Sequence, residues 1–243
     1  MNKYLRSNII HEDEELIFVN KTAGILSIPD RYDQNIPNLK SILSDYCQNI
    51  FVMHRLDKDT SGITVFAKTE EAHKSISEQW QNNGVEKTYL AITSNIPSSE
   101  TGTIEAPIQE HQSKKGTYVV SNLGKPSTTH FEVVSTFGEY ALLKLKIDTG
   151  RTHQIRVHLS YIGCPLLVDP VYGYQSQFFL SSIKKNKMNL KKGMEERPLL
   201  SRTPLHASSL QFKLPLNNQT YSVKSELPKD IRAIQYQLEK RFK

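Results

Sequence analysis

Apolar and polar residues fall along this chain in short, changing periods that predict many strands and a few helices. Leu16-Ile17-Phe18-Val19 follows the acidic run Glu12-Asp13-Glu14-Glu15 and reads as a buried strand. Lys21-Thr22-Ala23-Gly24 then turns the chain, and residues 25–28 form a second short extended segment that stops at Pro29. Asn38 is placed to cap a helix carrying Leu39, Ile42, Leu43 and Tyr46 at helical spacing. Thr69 is the N-cap of another, with Glu70 and Glu71 in its first turn, Ala72, Ile76 and Trp80 on one face, and Asn83-Gly84 as its stop. Between these helices lies His54-Arg55-Leu56-Asp57-Lys58-Asp59-Thr60-Ser61-Gly62. It is a polar turn, bent by Thr60-Ser61-Gly62, that runs at once into a continuous apolar strand over residues 63–67.

The second half of the chain reads in the same way. Residues 86–93 and 102–108 are strands, with a turn-rich connection between them. Residues 110–127, rich in Gln, Ser, Lys and Gly, form an exposed excursion. Residues 129–137 and 139–147 alternate polar with apolar residues around Gly138, which is the signature of a half-buried antiparallel hairpin with Leu143, Leu145 and Ile147 inward. Ile155, Leu159 and Ile162 place a helix over residues 152–161. Residues 175–200 have weak periodicity, 205–214 and 220–223 are the last strands, and Pro228 opens a final helix with Ile231, Ile234 and Leu238 inward. Many strands and scattered helices without regular βαβ alternation give an α+β fold, a single domain with a largely antiparallel sheet.

Composition narrows the class. With 37% apolar and 23% charged residues in 243, the chain is an ordinary globular one with enough length for a real core. A net charge of +6 suits a polyanionic partner without requiring one. Cys47 and Cys164 are the only cysteines and are far apart, so neither structural zinc nor a disulfide framework is expected, and a reducing cytoplasm is the natural setting. The polar start has no signal-peptide core, and no run is long enough to span a bilayer, so no membrane partner is expected. Walker, G-x-G-x-x-G, G-x-S-x-G and H-E-x-x-H motifs are absent, which removes NTPase, dinucleotide, serine-hydrolase and zincin chemistry.

Four stretches could carry chemistry. Arg55 and Asp57 share the polar turn. Two readings stand: a solvated surface ion pair, or a reactive carboxylate on a rigid support, with Asp59 as its rival. Gly150-Arg151-Thr152-His153-Gln154-Ile155-Arg156 sets two arginines at a helix start, suited to an anion or to simple capping. His153 and His158, five apart, do not share a helical face, so no metal site is expected. Tyr89 sits on an apolar strand, as most core tyrosines do. Lys184, Lys185, Lys187, Lys191 and Lys192 form either a solvated loop or a set of phosphate contacts.

His54-Arg55-Leu56-Asp57 with Thr60-Ser61-Gly62 resembles the central motif of the RluA family of RNA pseudouridine synthases. Four further segments resemble that family in its own order: residues 16–26 ending Lys-Thr-Ala-Gly-Ile-Leu, Lys87-Thr88-Tyr89-Leu90-Ala91, residues 150–159, and Leu205-His206-Ala207. Thr22 stands where the family usually has proline. The resemblance implies a catalytic cleft across a mostly antiparallel sheet, no cofactor, and RNA as the substrate with no obligate protein partner. It assigns Asp57 as the catalytic aspartate, Tyr89 as the active-site tyrosine and Arg55 as the arginine that replaces the flipped base. Arg156 falls on the basic residue paired with the aspartate, with Arg151 the nearby alternative, and Leu205 lines the uracil pocket. Lys184, Lys185 and Lys187 would contact phosphates. The chain starts directly at the catalytic motifs, so no N-terminal S4-like domain is expected, and residues 26–31 resemble the short type that modifies both ribosomal and transfer RNA. Two other classes share part of this pattern. A non-catalytic RNA-binding protein on this scaffold would not need Asp57, Tyr89 and Arg156 together. A glycosidase would need a second carboxylate, Asp148 or Asp169, at a defined separation from Asp57.

Overall fold

The computed structural model describes residues 3–81, 84–184 and 195–242. In chain order the elements are α1 (Lys3–Asn8), β1 (Ile9–Glu12), β2 (Leu16–Lys21), α2 (Leu39–Ser44), β3 (Phe51–Val52), β4 (Ser61–Ala67), α3 (Glu70–Gln81), β5 (Glu86–Thr93), β6 (Thr101–Glu105), β7 (Ile108–Glu110), β8 (Tyr118–Val120), β9 (Thr128–Phe137), β10 (Tyr140–Ile147), α4 (Gln154–Tyr161), a 3-10 turn at Leu180–Ser182, β11 (Leu205–Leu214), β12 (Gln219–Lys224) and α5 (Lys229–Phe242). β4 and β11 run parallel. The pairings β1–β2, β2–β4, β3–β4, β6–β9, β7–β8, β9–β10 and β11–β12 are antiparallel. This is an α+β architecture with a mostly antiparallel sheet, as the periodicity predicts, and the parallel β4–β11 pair makes the sheet mixed. Among the described residues no helix is long and apolar enough to cross a membrane.

Two compact units emerge. The first comprises Met1–Tyr89 and His206–Glu226, with strand order β1-β2-β4-β11-β5, β12 on β11 and β3 on β4. Every residue of β4 is buried, which is why its sequence is apolar without alternation. One face of β2 and β4 presents Leu16, Phe18, Ile63 and Val65 to Ala72 and Ile76 of α3. The other face presents Ile17, Val19 and Phe66 to Leu5, Leu39 and Leu43 of α1 and α2. The caps form as their sequences suggest: Asn38 Oδ1 accepts the Ser41 N–H at 2.9 Å, and Thr69 Oγ1 accepts the Ala72 N–H at 3.2 Å. Asn83, the expected stop of α3, lies outside the described residues.

The second unit comprises Leu90–Leu205 and Leu227–Lys243, with strand order β5-β10-β9-β6 and the separate β7–β8 ribbon. Ile231, Ile234 and Leu238 of α5 are fully buried with Phe137, Leu142 and Phe178.

Several local expectations change. α1 and β1 were not foreseen, because only Leu5 of α1 is buried and six residues are too few to display a period. Residues 25–28 make no strand, but Leu26 forms an isolated bridge with Asn38. The excursion at 110–127 contains β8, whose three residues are all half-buried and so lack the contrast that marks a strand. α4 starts at Gln154 rather than Thr152, after His153 in a left-handed conformation.

Candidate active site

Asp57 sits in the arm between β3 and β4, and the first unit holds that arm at three points. Leu56, immediately before Asp57, is clamped by Ser27: the Leu56 N–H donates to Ser27 Oγ and the Ser27 hydroxyl donates to the Leu56 carbonyl, both at 2.9 Å. On the other side of Asp57, the Lys58 carbonyl accepts the Gly24 N–H at 2.9 Å and the Lys21 ammonium at 3.0 Å. Lys21 is fully buried and also donates to the carbonyls of Thr22 (3.2 Å) and Ile25 (2.8 Å). Three carbonyls match the three donors of an ammonium, which is how this charge is tolerated inside the fold. Finally, the Thr60 N–H donates to the Asp57 carbonyl at 3.2 Å, closing the turn. Asp57 is left half-buried, with Arg55 and Asp59 exposed beside it.

Ser61 and Gly62 belong to β4 and not to the turn. Their partners are His206 and Ala207 at the start of the parallel strand β11. Gly62 has φ +115°, and a Cβ there would lie 2.2 Å from the Ala207 carbonyl oxygen. The Ser61 hydroxyl meets His206 Nδ1 at 3.0 Å, and His206 Nε2 faces the Ser225 carbonyl at 3.3 Å. The glycine therefore serves close approach of two strands, a need that its position after Thr-Ser does not reveal. Leu205, expected to line the uracil pocket, is the buried first residue of β11.

Tyr89 is the last residue of the first unit and lies beside Asp57 electrostatically. Burial pushes its phenol well above the ordinary tyrosine value, and the Asp57 carboxylate adds to the push. The phenol is thus a neutral group at physiological pH, able to donate a hydrogen bond. Next to the arm, His54 stacks on Trp80 with ring centroids 5.0 Å apart, and the Lys87 ammonium lies 5.8 Å from the Trp80 ring.

The second unit treats its two arginines differently. Arg151 is exposed, and its Nε donates to the Pro126 carbonyl at 3.3 Å. Arg156 is buried, and its Nε and Nη2 form a fork with both oxygens of Asp169 at 2.7 and 2.9 Å. Its guanidinium carbon also lies 4.9 Å from the Tyr172 ring. Asp169 further accepts the N–H groups of Val171 and Tyr172. Burial opposes ionisation of Asp169, but the Arg156 bonds and charge and these two N–H groups outweigh it and hold the carboxyl below the usual aspartate range. Gln154 fixes the approach to α4: its Oε1 accepts from the Thr149 hydroxyl and the Arg151 N–H, and its Nε2 donates to the Thr128 carbonyl and Thr129 Oγ1. His153 pairs with the Tyr172 hydroxyl and His158 with Thr129 and the Ala106 carbonyl, so both imidazoles are occupied within the fold.

Lys184 is exposed, while Lys185 and Lys187 lie outside the described residues. Among the described residues no group of three or more His, Cys, Asp or Glu could hold a metal ion. Sequence reasoning gave no supporting role to Lys21, Ser27 or His54 and did not pair Asp169 with Arg156. Lys21 at the end of an apolar strand was the one available signal, since a lysine there must find partners. The other three act through contacts between residues far apart in the chain.

Residues 15–161 match the family model described as RNA pseudouridylate synthase. The chain is 36% identical over 227 residues to the ribosomal large subunit pseudouridine synthase D of Pseudomonas aeruginosa, covering 91% of this chain and 68% of that protein. It is 31% identical over 236 residues to the protein of the same name from Escherichia coli, at 92% and 68% coverage. Among solved structures, human RNA pseudouridylate synthase domain containing 4 superposes with a TM-score of 0.72 at 26% identity, covering 98% of this chain and 95% of that one. The ordered motifs, the α+β fold and these likenesses agree: the chain belongs to the RluA family of RNA pseudouridine synthases, which are isomerases.

Proposed function

We propose that this chain converts specific uridines to pseudouridine in structured RNA, large-subunit ribosomal RNA or transfer RNA or both, with Asp57 as the catalytic carboxylate. The observation that carries this reading is the clamped arm: a half-buried carboxylate held between Ser27 and Lys21 and facing a neutral Tyr89. Isomerisation breaks the N1–C1′ bond, turns the base, and joins C5 to C1′, with the C5 proton lost and N1 protonated. The atoms balance without a redox carrier or ATP. Asp57 acts ionised, attacking C1′ or C6 or stabilising the departing ribosyl group. Tyr89 packs on the base and assists proton transfer at the ribose or at C5. The uridine must first leave its stack, at about a few kcal/mol, and the exposed Arg55 takes the vacated place because guanidinium planes stack well on bases.

Arg156 is proposed as the cation that keeps Asp57 ionised, with Arg151 as the alternative. Arg156→Ala should lower turnover far more than RNA affinity. It should also destabilise the protein by about 3–5 kcal/mol, because it leaves the buried Asp169 carboxylate without its partner. The depressed pKa of Asp169 makes this contribution complete above the ordinary aspartate value and lost as pH falls through the folded one, so the stability gap between wild type and variant should close in acid. An effect on affinity alone would return Arg156 to the phosphate-contacting class.

Lys184, Lys185 and Lys187 are proposed as phosphate contacts. Neutralising all three should weaken RNA binding and flatten its salt dependence by about 2–3 units of slope if each lysine meets one phosphate. An unchanged slope in a binding titration from low to high salt would make these three lysines bystanders. The target itself is read by mapping pseudouridines in total RNA with and without this gene. Loss of a large-subunit or transfer-RNA site supports the proposal, and an identical map overturns it.

A further inference from the structure

The edge of β4 that faces away from β2 is covered by two different strands. β11 pairs with Ser61 and Gly62, and β3 pairs with Phe66 and Ala67. β3 ends at Val52, because the chain must leave the sheet to form the arm that carries Asp57. Between these two coverings the Val65 N–H would lose its ladder partner, yet it donates to His54 Nε2 at 3.2 Å. An imidazole nitrogen thus stands where a strand carbonyl would, one residue before Arg55 and three before Asp57.

We propose that His54 is a positioning residue for the isomerisation, its Nε2 bond to the Val65 N–H setting where the arm departs from β4 and hence where Arg55 and Asp57 stand. The proposal rests on the reading of Asp57 as the catalytic carboxylate. Two further features suit His54 to the task. Accepting an N–H requires an unprotonated Nε2, and burial, then the nearby Lys87 charge, hold the imidazole pKa down at about 3. The ring plane is fixed by stacking on Trp80, itself packed on the core of the first unit. The acceptor is therefore constant in charge and direction across the working pH range. A carbonyl supplied by strand pairing would instead keep the chain in the sheet and carry Asp57 away from its turn.

The test compares His54→Phe, which keeps a ring for Trp80 and removes the acceptor, with His54→Gln, whose Oε1 lies as many bonds from Cβ as the imidazole Nε2. Single-turnover tritium release is measured at saturating enzyme on a pool of C5-tritiated ribosomal and transfer RNA transcripts. This rate constant does not depend on the fraction of folded protein. His54→Phe should slow it by about 10- to 100-fold, the scale of a reacting group misplaced by about an ångström, with RNA affinity changed less than about twofold. His54→Gln should recover most of the rate. If His54→Phe does not fold, His54→Asn replaces it, since its amide is too short to reach the Val65 N–H. A His54→Phe (or His54→Asn) rate within about twofold of wild type, or a His54→Gln rate as slow as theirs, overturns the proposal; a merely structural role would lower thermal stability and leave the rate constant alone. Asp57→Asn, run in parallel, separates the two readings. If it retains turnover, the assignment of Asp57 falls and takes the proposal with it. If it is silent while His54→Phe is normal, only the proposal on His54 falls.

Discussion

Asp57→Asn should abolish pseudouridine formation, by at least about 10⁴-fold, while RNA binding should stay close to wild type. The magnitude follows from the role. A carboxylate that attacks, or that faces a developing positive charge, cannot be replaced by a neutral amide of the same shape, and loss of such a group removes most of the chemical acceleration. Binding should persist because phosphate contacts generally supply most of the affinity of a protein for RNA. The fold should tolerate the change. The arm is held by the Leu56 and Lys58 backbone groups, and the Thr60 N–H that closes the turn donates to the Asp57 carbonyl, a group that the substitution keeps. Tritium release from C5-labelled uridine measures the chemistry and filter binding measures the affinity. Turnover retained by the Asn variant would remove Asp57 from the reaction. Loss of binding and turnover together would make it a docking residue.

The second large effect is on stability. Gly62→Ala should lower it by about 2–6 kcal/mol, the sum of strain from a side chain at φ +115° and of forcing apart β4 and β11. The neighbouring atom is a backbone carbonyl in a strand, so it cannot swing aside as the end of a side chain would. Against a total stability of about 5–15 kcal/mol this is a large fraction. The melting temperature should fall by about 4–24 °C, given roughly 2–4 °C per kcal/mol for a chain of this size. A thermal melt of the purified variant checks it, and a shift below about 2 °C would mean that the two strands separate easily. Because Gly62 follows Asp57 by five residues, the surviving folded protein should also be slower than wild type.

The sequence by itself determined most of the element order and the identity of the chemistry. β5 and α3 fall on the expected residues, as do β11 and the buried stripe of α5, because long apolar periods bounded by caps and turns are set locally. Asp57, Arg55, Tyr89 and Arg156, with Arg151 as its alternative, are proposed site residues because each falls on a motif that is a contiguous run. What only the tertiary structure decided is the support for that chemistry. Ser27 meets Leu56 across 29 positions, Lys21 meets Lys58 across 37, and Ser61 meets His206 across 145. Such bonds leave no period and no spacing in the chain. The same limit explains Gly62, read as a turn residue until β11 was seen pressed against it, and Arg156, whose bidentate partner Asp169 lies beyond the end of α4. Local sequence supplies the candidate reactive groups, because reactivity needs particular side chains. The fold fixes where they stand, because holding a loop rigid requires donors and acceptors that come from elsewhere in the chain.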